Sequence, residues 1–282
     1  MKNIVKNITG WILRVITLKI ILVCLVFCNP VFAQKEQVNN TFRSGENLNY
    51  KVYYNWEFIW LAAGEVQFSV ESSEYLGKDV FHLCSTGSTY RTYDWFYKVR
   101  DRYDSWVGVS DLKPLKSEKT THEGDNYAMN AYYFDYPGKE LKAIVKSNSS
   151  GLKVSKLKLR QNSFDLLSAI YHIRNFDFTE FKTGEIMPVT ILLDDQYYDL
   201  YIRYLGKDIA ESKNGNKYHC HKFSALLIEG TIFKGGEEMF IWVTDDENKI
   251  PVQVEAEVLL GSVKAILINF DGLMHPVKSE IK

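Results

Sequence analysis

Apolar and polar residues alternate with a period of two along most of this chain, and no other feature constrains its fold as strongly. Leu48, Tyr50, Val52, Tyr54 and Trp56 alternate with Asn49, Lys51, Tyr53 and Asn55; Val66, Phe68 and Val70 alternate with Glu65, Gln67 and Ser69. Successive side chains of a strand point to opposite faces, so each run reads as a half-buried strand. Similar runs cover residues 79–89, 95–102, 103–109, 115–123, 127–136, 142–146 and 152–160. Others cover 186–193, 197–205, 217–229, 231–243, 252–260 and 262–270. Turn clusters such as Gly124-Asp125-Asn126, Tyr136-Pro137-Gly138-Lys139 and Asp194-Asp195-Gln196 separate them. One segment departs from the pattern. Residues 163–175 place Leu166, Leu167, Ile170, Tyr171 and Ile173 at helical spacing. Ser163 is the expected N-cap, with Asp165 in the first turn and Arg174 in the last, where the helix dipole favours each. The pattern predicts an all-β, mainly antiparallel domain, a large curved sheet or barrel-like, with one short α-helix.

The N-terminal residues 1–33 read as a secretory signal peptide. Lys2, Lys6, Arg14 and Lys19 precede or flank an apolar run at 20–27, and Val31-Phe32-Ala33 offers a cleavage site before Gln34. The apolar run is shorter than the roughly 18 residues of a spanning helix. Val23 and Phe27, before Cys24 and Cys28, are larger than a lipid-attachment site expects. The expectation is export to the periplasm or outer-membrane periphery, with residues 34–282 as a single all-β domain lacking a transmembrane segment. Removing the four basic residues of 1–33 from the 34 in the chain leaves 30 against 35 acidic, a net charge of −5. That balance gives no electrostatic footprint for nucleic acid.

Several clusters could carry chemistry. Asp245-Asp246-Glu247 could bind a hard cation, but lacks the D-x-[DN]-x-[DN]-G spacing of a calcium loop and reads as a hairpin tip. His219 and His221 share one strand face with Cys220 opposite; His82 and Cys84 could complete a zinc site only if their strand adjoined. The expectation is no metal and no cofactor. Cys84 and Cys220 survive cleavage of the signal, and sequence does not decide whether they pair. Asp94, Arg100, Asp101, Arg102 and Asp104 form a charged run among aromatics, readable either as acid–base machinery on a glycan or as cross-strand ion pairs on a solvated face. No nucleophile elbow, phosphate loop, HExxH or Cys-x-x-Cys pattern is present.

Five segments, in order, carry a resemblance. They are Phe42-Arg43-Ser44-Gly45-Glu46-Asn47-Leu48 with Tyr50, Tyr53 and Ala63-Gly64-Glu65; Tyr97-Lys98-Val99-Arg100-Asp101; Phe164-Asp165-Leu166-Leu167-Ser168-Ala169 with Tyr171 and Arg174; Ile241-Trp242-Val243-Thr244-Asp245-Asp246 with Ile250-Pro251; and Gly261-Ser262-Val263-Lys264. Together, over about residues 42–270, they resemble the exported domain-of-unknown-function family 3108. The resemblance implies a Gram-negative envelope protein and no particular activity. The leading functional expectation is non-catalytic binding of an apolar or amphiphilic, lipid-like envelope ligand in a barrel-like fold. Candidate ligand-binding residues are Trp56, Trp60, Phe68, Trp95, Arg100, Asp101, Trp106 and Trp242. The alternatives are an envelope glycan hydrolase using Asp or Glu, and a protein-interaction module using an exposed strand edge.

Overall fold

The computed structural model describes residues 38–56, 59–95, 97–228, 236–258 and 261–282. The expected signal peptide with Cys24 and Cys28 lies outside these residues. So do the start of the strand expected from Thr231 and the end of the one expected to reach Leu260. Among the described residues the period-two pattern becomes sixteen strands. The first eight are β1 (Asn47–Trp56), β2 (Ile59–Tyr75), β3 (Lys78–Thr89), β4 (Val99–Gly108), β5 (Pro114–Glu123), β6 (Asn126–Asp135), β7 (Glu140–Ser147) and β8 (Gly151–Lys158). The rest are β9 (Ser163–Phe164), β10 (Ile186–Leu193), β11 (Gln196–Glu211), β12 (Lys217–Leu227), β13 (Gly236–Thr244), β14 (Pro251–Glu257), β15 (Ser262–Asp271) and β16 (Glu280–Ile281). A single α-helix among the described residues, α1, spans Leu166–Ile173.

All the ladders are antiparallel except the short β9–β10 pair. The order runs from β8 back to β1, then through β15 down to β10 and β9, with β16 on β12. The sheet curls until its ends meet. Leu192 of β10 packs with Tyr132, Phe134, Leu141 and Ala143 of β6 and β7. No backbone ladder joins β8 to β10 among the described strands. Side chains seal that seam instead: Lys153 and Ser155 reach Asp195, and Arg160 reaches Asp199 at 2.9 Å. The interior holds the helix. Leu167 and Tyr171 pack with Phe42, Val70, Leu83, Val107 and Leu112, while Phe178 packs with Met187, Tyr204, Phe223 and Val243.

Two local expectations are corrected. Ser163 does not cap the helix. Asp165 does, its carboxylate accepting from the backbone N–H of Leu167 at 3.0 Å and Ser168 at 3.2 Å. A carboxylate satisfies two orphan donors and suits the positive helix end. Ser163 is taken by β9, and its hydroxyl donates to the Arg160 carbonyl. Two strands were expected over 95–109; a single strand, Val99–Gly108, stands there instead. The Arg100 guanidinium gathers the preceding loop, donating to the carbonyls of Thr89 and Val99 and to Asp94 at 2.7 Å. Strand geometry therefore begins only at Val99.

Candidate functional site

Three of the five segments that carry the family resemblance, those holding Glu46, Arg174 and the 241–251 turn, meet around one buried ion pair. Arg174, just after α1, donates from Nη1 and Nη2 to the two carboxylate oxygens of Glu46 at 2.6 and 2.8 Å. It also donates to the Asn248 carbonyl at 2.9 Å, and its guanidinium stacks on Tyr171 and Phe42. Glu46 is fully buried. Bidentate pairing of this kind fixes geometry as well as charge. The acidic tip joins the same assembly. Asp246 accepts from Thr244 Oγ1, Asn248 N, Lys278 N, Ser279 N and Ser279 Oγ, so it fastens the C-terminal segment as well as its own turn. Buried Asn248 exchanges two bonds with the His275 backbone.

A second cluster lies on the inner wall of β4, β5 and β6. Asp101 sits diagonally across from Glu123 in the β4–β5 ladder. Burial, then the negative charge of nearby Glu123, raise Asp101 to about 6, against the backbone N–H of His122 that donates to it. Asn130 donates to Asp194 at 3.0 Å across the interior, and Ser105 Oγ donates to Asp165 at 2.7 Å. Because Asp101 in the folded protein titrates near 6 rather than at its ordinary 3.8, its contribution to stability is fully present below pH 3.8 and is lost as pH rises through about 6. Asp101→Asn is expected to flatten that decline in thermal melts between pH 4 and 7. At pH 7 it should raise stability by about 1 kcal/mol, discounted because the group is half exposed. Parallel curves for the two proteins would contradict this.

The histidines and thiols are separate. His221 is buried, accepting or donating with Tyr204 Oη at 3.0 Å and with Asp245 at 2.7 Å, and burial lowers its pKa. His219 is exposed. His82 lies on β3, remote in the sheet order from β12, and pairs with Asp104 at 2.8 Å. Burial pushes Asp104 up, but bonds from His82 and Arg102 outweigh it and hold Asp104 below its ordinary value. Cys84 and Cys220 are both free thiols on these same two strands. Burial pushes Cys84 to about 11 and Cys220 to about 12, so neither is an activated nucleophile.

The eight ligand-binding candidates do not gather in one place. Phe68 faces inward, edge-on to Tyr50 at 5.7 Å. Asp101 lies on the inner wall and Arg100 in its loop clamp. Trp106 stacks on His82 at 4.6 Å, and the Lys116 ammonium lies 4.3 Å from its ring centre. Trp242 donates to Asp208 at 2.9 Å and lies beneath Lys222; Trp60 lies beneath Lys264. Trp95 is 84% exposed. The side chain of Trp56 is outside the described residues.

A groove of about 440 Å³ lies elsewhere. Tyr75, Leu76 and Lys78 from the β2–β3 turn form one side; Leu115, Tyr133, Phe134, Tyr136 and Pro137 form the rest, with Lys142 beside them. Its two acids are already engaged: Asp135 accepts from Gly138 N, and Glu140 pairs with Lys156 at 2.9 Å. Among the described residues Lys78 and Lys142 make no ion pair, and Lys142 Nζ sits 5.8 Å from the Tyr133 ring centre. Leu76 is the unusual member. It is 83% exposed and left-handed, with φ 53°, ahead of Gly77 at φ 74°. Asn or Gly is the favoured residue at such a hairpin position. This groove was not legible in the sequence. Its visible trace was a leucine in Tyr75-Leu76-Gly77-Lys78 where a polar turn residue belongs.

A crystal structure of a β-barrel-like protein of domain of unknown function DUF1849 from Brucella abortus is similar, with TM-score 0.52 and 9% sequence identity. The similarity covers 82% of this chain and 99% of that one, and at this identity it concerns fold alone. No curated protein matches the chain. The family model described as "Protein of unknown function (DUF3108)" matches residues 49–268. The chain that brings its Glu46, Arg174 and Asp246 segments together in this way therefore belongs to the DUF3108 family.

Proposed function

We propose that this is an exported envelope protein that binds an amphiphile with an apolar body and an anionic head, without transforming it. The observation that carries the reading is the groove with Leu76 at its lip. Aromatic and aliphatic walls suit an apolar body, and Lys78 and Lys142, with no ion pair among the described residues, suit an anionic head. A left-handed, exposed leucine costs roughly 1 kcal/mol against the intrinsic preference of the turn. Such strain points toward a use other than folding. The Lys-rich, apolar N-terminus with its Val31-Phe32-Ala33 pattern supports export.

Leu76→Asn separates the two roles. It should raise folding stability by about 0.5–1 kcal/mol, because Asn tolerates the left-handed turn. It should also weaken a fluorescent anionic fatty acid about tenfold, since burying a leucine is worth roughly 1.5 kcal/mol or more. Urea melts and fluorescence titration read the two effects. Unchanged affinity would sink the groove as the binding site.

A further inference from the structure

The charge of this protein is unevenly distributed. The whole chain is net −1, yet residues 140–158 hold five lysines and one acid, Glu140. This is the β7–β8 hairpin. Its ladder sets Lys146 opposite Leu152, Ile144 opposite Val154, Lys142 opposite Lys156 and Glu140 opposite Lys158. Leu141, Ala143 and Leu157 turn inward to the core. Strand alternation therefore places the even-numbered side chains on the outer face.

Two features of that face are unfavourable for an isolated protein. Lys142 and Lys156 are cross-strand neighbours, and like charges directly opposite destabilise a sheet. Lys156 has Glu140 as a partner at 2.9 Å, but Lys142, Lys146 and Lys158 make no ion pair among the described residues. Leu152 and Val154, between these lysines, are 65% and 57% exposed. Lysines interleaved with exposed aliphatic side chains give two membrane signals together, electrostatic attraction and shallow apolar insertion.

We infer that the outer face of the β7–β8 hairpin docks on an anionic lipid bilayer surface. The lysines meet lipid headgroups, and Leu152 and Val154 enter the headgroup boundary. A second copy pairing along the edge of β8 is disfavoured, because Lys153 and Ser155 already bridge that edge to Asp195. Lys142 also lines the neighbouring groove, so the substitutions that test docking spare it.

The test is co-sedimentation of the mature chain with phosphatidylcholine vesicles, with and without phosphatidylglycerol. Binding is expected only with phosphatidylglycerol, and to fall steeply as salt is added. Lys146→Gln with Lys158→Gln should weaken it about tenfold, and Leu152→Ser with Val154→Ser several-fold. Thermal melts of each variant confirm folding. Leu76→Asn should leave vesicle binding intact, while the lysine variant should still bind the soluble fatty acid probe, so failure of one reading is distinct from failure of the other. Equal binding to neutral vesicles, or no loss in the folded lysine variant, would overturn the inference. So would a lipid-free dimer in sedimentation analysis that the same substitutions dissociate.

Discussion

Arg174→Ala is expected to destabilise the protein by about 3–5 kcal/mol, because it leaves the Glu46 carboxylate buried without its partner. The pair is bidentate, Glu46 is fully enclosed, and the guanidinium also closes over Tyr171 and the Asn248 carbonyl. One substitution thus loosens the N-terminal segment, the helix and the β13–β14 turn together. Arg174→Met combined with Glu46→Leu should recover much of the loss, since removing both charges also removes their desolvation cost. Urea denaturation midpoints decide the matter. A loss below about 1 kcal/mol in the single variant would mean that water already reaches this pair.

Asp246→Ala should cost about 2–3 kcal/mol, from hydrogen bonds to a charged acceptor that water only partly replaces. Three of its five bonds come from Lys278 and Ser279, which hold β16 against β12. The loss should therefore be local at first: limited proteolysis should cut beyond Gly272 well before the remaining sheet opens. Asp246→Asn keeps the turn acceptor on Oδ1 but puts an amide donor toward the Lys278 and Ser279 N–H groups, so it should cost more than a turn residue alone would. Uniform cleavage across the sheet would contradict an anchoring role.

The strands and their hairpins were legible because alternation and turn chemistry are local. The 115–123 and 127–136 runs around Gly124-Asp125-Asn126 became β5 and β6 nearly unchanged. Direction was less legible. Period two says that Trp106 and Trp242 share a face with their alternate neighbours, but not which face is inward. Trp106 lies beneath Lys116, while Trp242 is buried in a separate cluster with Ala210, Tyr218, Cys220 and Val252 and carries Lys222 over its ring. Bulges add to the difficulty. Register shifts at Trp106/Val107 and Trp242/Val243 reset the alternation beside these same residues. The Glu46–Arg174 pair was illegible for another reason: its members are 128 residues apart, and an arginine in a last helical turn already had a sufficient local explanation. The groove assembles from three turns and strands whose residues look ordinary one by one, apart from Leu76.

The most direct test of amphiphile binding is nuclear magnetic resonance of residues 34–282 titrated with a soluble anionic amphiphile such as dodecyl phosphate, below its micelle concentration. Saturable shift changes should cluster at Leu76, Leu115, Tyr133 and Tyr136, with Lys78 and Lys142 responding to the head group. Changes confined to the interior around Asp101, Tyr103 and Asn130, or none that saturate, would contradict the groove as the site.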